Sequence, residues 1–151
     1  MNKSQINRSI KLLLVEDNPG DAYIIKNYLQ TSKIPYNFDH LVDGEQLMSY
    51  LYREGDYAKV SLPELVLLDL NLPKKNGFEV LKEIKSHPQL KSIPVIILTS
   101  SRAEKDILES YRLYANCYIT KPFEYSEFID TIRKIEIFWL KLVHLPSLKS
   151  I

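Results

Sequence analysis

The chain has 151 residues, 45% of them hydrophobic and 26% charged, with a formal net charge of +1. Such a length is expected to form one domain that buries roughly two-thirds of its unfolded surface, and the near-neutral balance argues against a dedicated nucleic-acid binder, which favours a clear basic excess. The single cysteine, Cys117, excludes an internal disulfide and fits a reducing cytoplasm, while no apolar run approaches the ~18 residues of a membrane span and the opening MNKSQINRS is too short for a signal peptide.

Residues 1–9 are expected to be extended or disordered, residues 10–140 to form the domain, and residues 141–151 to form a tail. IKLLLV, residues 10–15, reads as a buried strand, and EDNPG after it as a turn. A helix is expected over 21–32, where Ala22, Ile25 and Leu29 recur at helical spacing. A weaker strand follows over 36–42, then a helix opened by Asp43 and Gly44 and running to about Tyr52, then a loop over 53–63. The apolar run at 65–69 is a strand, and 78–85 a helix with Phe78, Leu81 and Ile84 on one side. Strand 93–98, helix 102–114, short strand 117–119 and a long helix from Glu124 complete the series.

Five strands alternate with five helices, and the strands are continuous apolar runs. Strands of that kind lie in a parallel sheet covered on both faces. The expected fold is therefore α/β: a doubly wound five-stranded parallel sheet sandwiched by five helices, flavodoxin-like. Sites in such sheets form beyond the carboxyl ends of the strands. The residues delivered to that edge are Glu16 and Asp17, Asp69, Thr99 and Ser100, and Thr120 and Lys121. Singly, each has an ordinary reading as turn, cap or loop chemistry. Together they bring three carboxylates, a hydroxyl and an amine to one crevice. Crowded carboxylates repel one another, and a hard divalent cation such as Mg²⁺ relieves that repulsion. An Asp beside a metal, a lysine and a hydroxyl has the parts for phosphoryl transfer, with the carboxylate as nucleophile.

LLLVEDNPGD, LVLLDLNLPKKNGFEVL, IPVIILTSS and ANCYITKPF, taken in that order and spacing, resemble the receiver domain of two-component response regulators over about residues 10–137. The resemblance implies that Asp69 accepts phosphate from a sensor histidine kinase, with Mg²⁺ as cofactor. It implies Glu16, Asp17 and Asp69 as metal ligands, together with the backbone carbonyl of Asn71. It assigns Thr99 and Lys121 to the phosphoryl group, Thr99 and Tyr118 to the switch, and a cis peptide bond to Pro122. The resemblance also implies that Asn71 and Ser101 flank the path of the hydrolytic water, and both are small and polar.

The chain ends within about thirty residues of Lys121, so a stand-alone cytoplasmic receiver without a DNA-binding output domain is expected. It is not an enzyme in the usual sense, since it catalyses only its own phosphorylation and dephosphorylation. In the tail TIRKIEIFWLKLVHLP, Phe128, Ile132, Ile135 and Trp139 keep core spacing, whereas Ile137, Phe138, Leu140, Leu142 and Val143 add apolar surface. Phe138, Trp139 and Leu142 are the interface candidates for a homodimer through the C-terminal helix. The ending also resembles small stand-alone receivers that partner phytochrome-type histidine kinases. Two rivals remain: a Mg²⁺-dependent phosphatase using an aspartyl-phosphate at Asp69, and a phosphorylation-independent binding module of the same fold. Haloacid dehalogenase phosphatases place an acid two residues beyond the nucleophile, where this chain has Asn71. His40, His87 and His144 are too scattered for a histidine metal site.

Overall fold

Buried aliphatic runs set the architecture. The computed structural model describes residues 9–34 and 36–148. The expectation for residues 1–9 therefore lies, Ser9 apart, outside the described residues. The strands are β1 (Ile10–Val15), β2 (Tyr36–Leu41), β3 (Leu65–Leu68), β4 (Val95–Thr99) and β5 (Cys117–Thr120). The helices are α1 (Pro19–Gln30), α2 (Gly44–Leu51), α3 (Gly77–Ser86), α4 (Glu104–Arg112) and α5 (Tyr125–Ile135). All strand pairs are parallel, in the order β2-β1-β3-β4-β5. This is the five-stranded doubly wound sheet that the apolar runs require.

Because side chains alternate across a strand, each run feeds two cores. Leu13, Val15, Val66, Leu68, Val95 and Ile97 pack with α2 and α3 through Leu47, Leu51, Val80 and Ile84. Their neighbours Leu12, Leu14, Leu65, Leu67, Ile96 and Leu98 pack with α1 and α5 through Ile25, Leu29, Phe128 and Ile132. β2 is an edge strand with Leu41 as its buried residue, which explains its weak sequence signal.

Several boundaries move for identifiable reasons. α1 begins at Pro19 rather than at 21, since Asn18 caps it and Pro19 is suited to the first helical turn. β4 begins at Val95 because Pro94 has no N–H for the ladder, although its carbonyl accepts from the Val66 N–H at 3.0 Å. α4 spans Glu104–Arg112 and buries Ser110 alone, leaving Leu108 and Tyr111 exposed.

The final helix does not run on as an α-helix. After Ile135 it widens into a π-helical segment, Glu136–Leu142, marked by the Val143 N–H donating to the Phe138 carbonyl. Five-residue spacing shifts the inward face: Leu140 is buried, Trp139 is half-buried and Phe138 is 48% exposed. At the first residue of the segment, the buried Glu136 carboxylate accepts from the Tyr36 hydroxyl at 2.6 Å. The cis bond expected at Pro122 is absent: among the described residues every peptide bond is trans. An X-Pro bond favours trans by only ~0.5–1 kcal/mol, so the residue type alone does not fix the isomer.

One glycine matters for the site. At the start of α3, a Cβ on Gly77 would lie 2.5 Å from the Leu70 Cα and 2.7 Å from the Asp69 carbonyl oxygen. Only glycine lets α3 approach the end of β3 so closely.

Candidate phosphoryl-acceptor site

β1 and β3 run side by side with Val15 opposite Leu68, so Glu16 and Asp69 leave the sheet together. The Asp69 N–H donates to the Val15 carbonyl at 3.1 Å and the Glu16 N–H to that of Leu41 at 3.0 Å. Both acids thus sit on backbone still tied to the ladder, although both side chains are buried. Asp17, one residue on, is exposed. Carboxylate oxygens of Glu16, Asp17 and Asp69 lie within 4.8 Å of one another, the one such grouping among the described residues. Hard oxygen donors at this spacing fit a divalent cation of the Mg²⁺ or Mn²⁺ type.

On the other side, β4 and β5 end in register with Thr99 opposite Thr120, and the Lys121 N–H donates to the Thr99 carbonyl at 2.7 Å. Lys121 Nζ donates to Asp69 Oδ2 at 2.9 Å and to Asp21 Oδ2 at 2.9 Å, and forms a third, very close ion pair with Glu16. The other Asp69 oxygen, Oδ1, accepts from the Asn71 N–H at 3.0 Å.

Charge is shared unevenly here. Burial, then the neighbouring Asp69 carboxylate, push Glu16 up to about 8, against the opposing pull of Lys121. Burial alone would raise Asp69 as well, but hydrogen bonds from Glu16 and Lys121 hold it below the usual carboxylate range. For Lys121 burial favours the neutral amine, and the bonds to Asp69 and Glu16 outweigh it, so its pKa is raised. Of the two buried acids, Asp69 is the one whose charged form its surroundings favour.

Thr99 is fully buried, and its Oγ1 has no hydrogen-bond partner in the structure. A buried hydroxyl without a partner is costly. It stands at the end of β4, whose last carbonyl accepts from the Lys121 N–H. Tyr118 packs against the Leu13 core, and its hydroxyl donates to the Ser101 carbonyl at 2.9 Å, tying β5 to the loop after β4. Ser101 Oγ in turn donates to Asp106 Oδ2 at 2.6 Å.

The structure therefore unites Glu16, Asp17, Asp69, Thr99 and Lys121, with Asn71 bonded at the rim and Tyr118 one loop away. Phe138, Trp139 and Leu142 lie on the separate C-terminal segment. Two contributors went unrecognised in the sequence. Asp21 reaches Lys121 across 100 residues of chain; its signal is the fragment DNPGD, which lifts a second acid one helical turn above the first pair. His40, dismissed as a metal ligand, holds the acidic loop instead: its Nε2 meets the Glu16 carbonyl at 2.7 Å.

Among the described residues no helix is long and apolar enough to cross a membrane. The chain is 46% identical to response regulator Rcp1 of Synechocystis sp. over 136 residues, covering 90% of this chain and 92% of that one. The crystal structure of the phosphorylated cyanobacterial phytochrome response regulator RcpA superposes with a TM-score of 0.90 at 49% identity, covering 93% of this chain and all of that one. The Mn²⁺-bound form of Rcp1 gives a TM-score of 0.89 at 45% identity, covering 91% of this chain and 99% of that one. The sequence pattern of the response regulator receiver domain matches residues 12–133. With the acid pair, the strand-end aspartate, the hydroxyl and the lysine at one edge of that sheet, the chain belongs to the response regulator receiver domain family.

Proposed function

We propose that Asp69 accepts a phosphoryl group from a histidine kinase. The phosphorus–nitrogen bond of the donor phosphohistidine breaks as an Asp69 oxygen bonds to phosphorus, and the departing imidazole takes up a proton. The observation that carries this reading is the unpartnered Thr99 hydroxyl, at the sheet edge where Lys121 already holds the Asp69 carboxylate. Thr99 donates to a phosphoryl oxygen, and Lys121 turns from the carboxylate to pair with the same group. Glu16, Asp17, Asp69 and the Asn71 backbone carbonyl would hold Mg²⁺. When bound, the ion neutralises charge on the phosphoryl oxygens. Withdrawal of Thr99 toward the phosphoryl group frees space for the Tyr118 ring, which makes that pair the switch.

The phosphatase alternative asks for a general acid two residues after Asp69, and the Asn71 amide has no carboxylic proton to give. Similarity to the cyanobacterial phytochrome response regulator RcpA at 49% identity, and to bacteriophytochrome response regulators at 41% and 37%, favours a phytochrome-type kinase as the donor. With such a kinase as donor, the chain would act in the cytoplasm. A second surface supports pairing with another copy. Ile137, Phe138 and Leu142 are 42%, 48% and 66% exposed, next to an apolar groove of about 360 Å³ walled by Cys117, Ile119, Ile135, Phe138 and Trp139.

The test is labelling with radioactive acetyl phosphate and Mg²⁺. Label is expected on Asp69, stable in acid and labile in base, and absent when a chelator is added. Label of equal yield in Asp69→Asn overturns the assignment, and steady turnover of a generic phosphomonoester supports the phosphatase instead.

A further inference from the structure

An ammonium group has three N–H donors. In this structure three carboxylates occupy them: Asp69 Oδ2 and Asp21 Oδ2, each at 2.9 Å, and Glu16 at closer range. Asp69 and Glu16 belong to the acceptor and its acidic neighbour. Asp21 has no such task, yet its mount is well defined. It lies in the first turn of α1, where its N–H is capped by Asn18 Oδ1 at 3.0 Å.

A phosphoryl group arriving on Asp69 brings about two negative charges and needs a donor from Lys121. Metal binding draws on Glu16, and Asp69 carries the new bond. Asp21 alone is left as a rival for the ammonium, fixed at hydrogen-bond distance from it. Its side chain is 31% exposed, against 6% for Asp69 and 2% for Glu16. Water can solvate a released Asp21 carboxylate, so it can yield, but its charge still faces the incoming anion.

We propose that Asp21 is a positioning residue that competes with the phosphoryl group for Lys121. It holds the lysine over the empty acceptor and weakens retention of the phosphoryl group once formed. The proposal rests on the acceptor reading of Asp69 given above. Asp21→Asn keeps the shape and an oxygen acceptor while removing the charge, which separates repulsion from packing.

The probe is beryllofluoride, an analogue of the acyl phosphate, titrated calorimetrically with saturating Mg²⁺ into wild type, Asp21→Asn, and Glu45→Gln as a control for net charge on an exposed residue of α2. Asp21→Asn is expected to bind beryllofluoride at least ~3-fold more tightly, as loss of a nearby like charge requires, and to lose radiolabelled phosphate correspondingly more slowly. Glu45→Gln is expected to match wild type. Equal affinity in Asp21→Asn and wild type overturns the proposal, and so does weaker binding, which would make Asp21 a support for Lys121 rather than its competitor. A wild type that binds no beryllofluoride overturns the acceptor reading itself, and the competition with it.

Discussion

At the scale of single residues, Thr99 is the place where this protein is built against its own stability. Its hydroxyl is buried at the end of β4 without a partner, and such a group costs on the order of 1–3 kcal/mol. Thr99→Val removes the hydroxyl and keeps the branched shape. The resting domain should gain about 1 kcal/mol in urea unfolding, an unusual direction for a change at a fully buried position. Retention of phosphate or beryllofluoride should fall by about tenfold or more, the worth of a hydrogen bond to a charged oxygen. A destabilised Thr99→Val protein would mean that the hydroxyl has a partner in the resting state. Thr99 was legible in the sequence because it ends a strand that reads clearly, and Lys121 because it follows directly on the short β5. Asp21 was not, because its partner lies 100 residues away and its local signal, DNPGD, reads equally as an acid placed in a first helical turn for its favourable charge.

At the scale of elements, the site depends on how closely α3 approaches the end of β3. The Gly77 N–H donates to the Leu70 carbonyl at 2.9 Å, and its missing side chain leaves room for the Asp69 carbonyl, which a Cβ would meet at 2.7 Å. The atoms in the way are backbone and cannot swing aside. Gly77→Ala should therefore push the β3–α3 junction apart and move Asp69 relative to Lys121. We expect a loss of roughly 1–3 kcal/mol of stability, the usual cost of overpacking, and phosphorylation slowed by tenfold or more at temperatures where the domain remains folded. A folded Gly77→Ala protein labelled at the wild-type rate would show that the junction is compliant. The elements themselves were readable wherever burial is two-sided: β1, β3 and β4 are continuous apolar runs. The π-helical segment was not readable, because its first residue is held by Tyr36, on edge strand β2 and 100 residues away in the chain. The trans bond before Pro122 escaped for a different reason, since the two isomers differ by too little for residue type to decide.

At the scale of the whole molecule, the widened helix end decides which apolar groups meet solvent. A regular α-helix through Trp139 would keep a single inward stripe. The π-helical spacing instead seats Leu140 and leaves Ile137, Phe138 and Leu142 outside. The outward ring of Phe138, stacked edge-on against Trp139 at 5.4 Å between centroids, stands beside the groove that the same two residues wall with Cys117 and Ile119. Knob and hole on one face suit a two-fold pairing, in which each copy places its exposed rings in the other's groove. Trp139 also packs against the inner core, so its replacement mixes folding with association. Phe138→Asp and Leu142→Ser, at largely exposed positions, do not. In sedimentation equilibrium each is expected to weaken self-association by at least ~10-fold, as loss of a central apolar anchor does, while thermal midpoints at low concentration stay near wild type. Trp139→Ala should weaken association too, with a lower midpoint. If wild type stays monomeric at high concentration, both with and without beryllofluoride and Mg²⁺, the exposed face serves a different partner. Binding of the kinase to wild type but not to Phe138→Asp would then identify that partner.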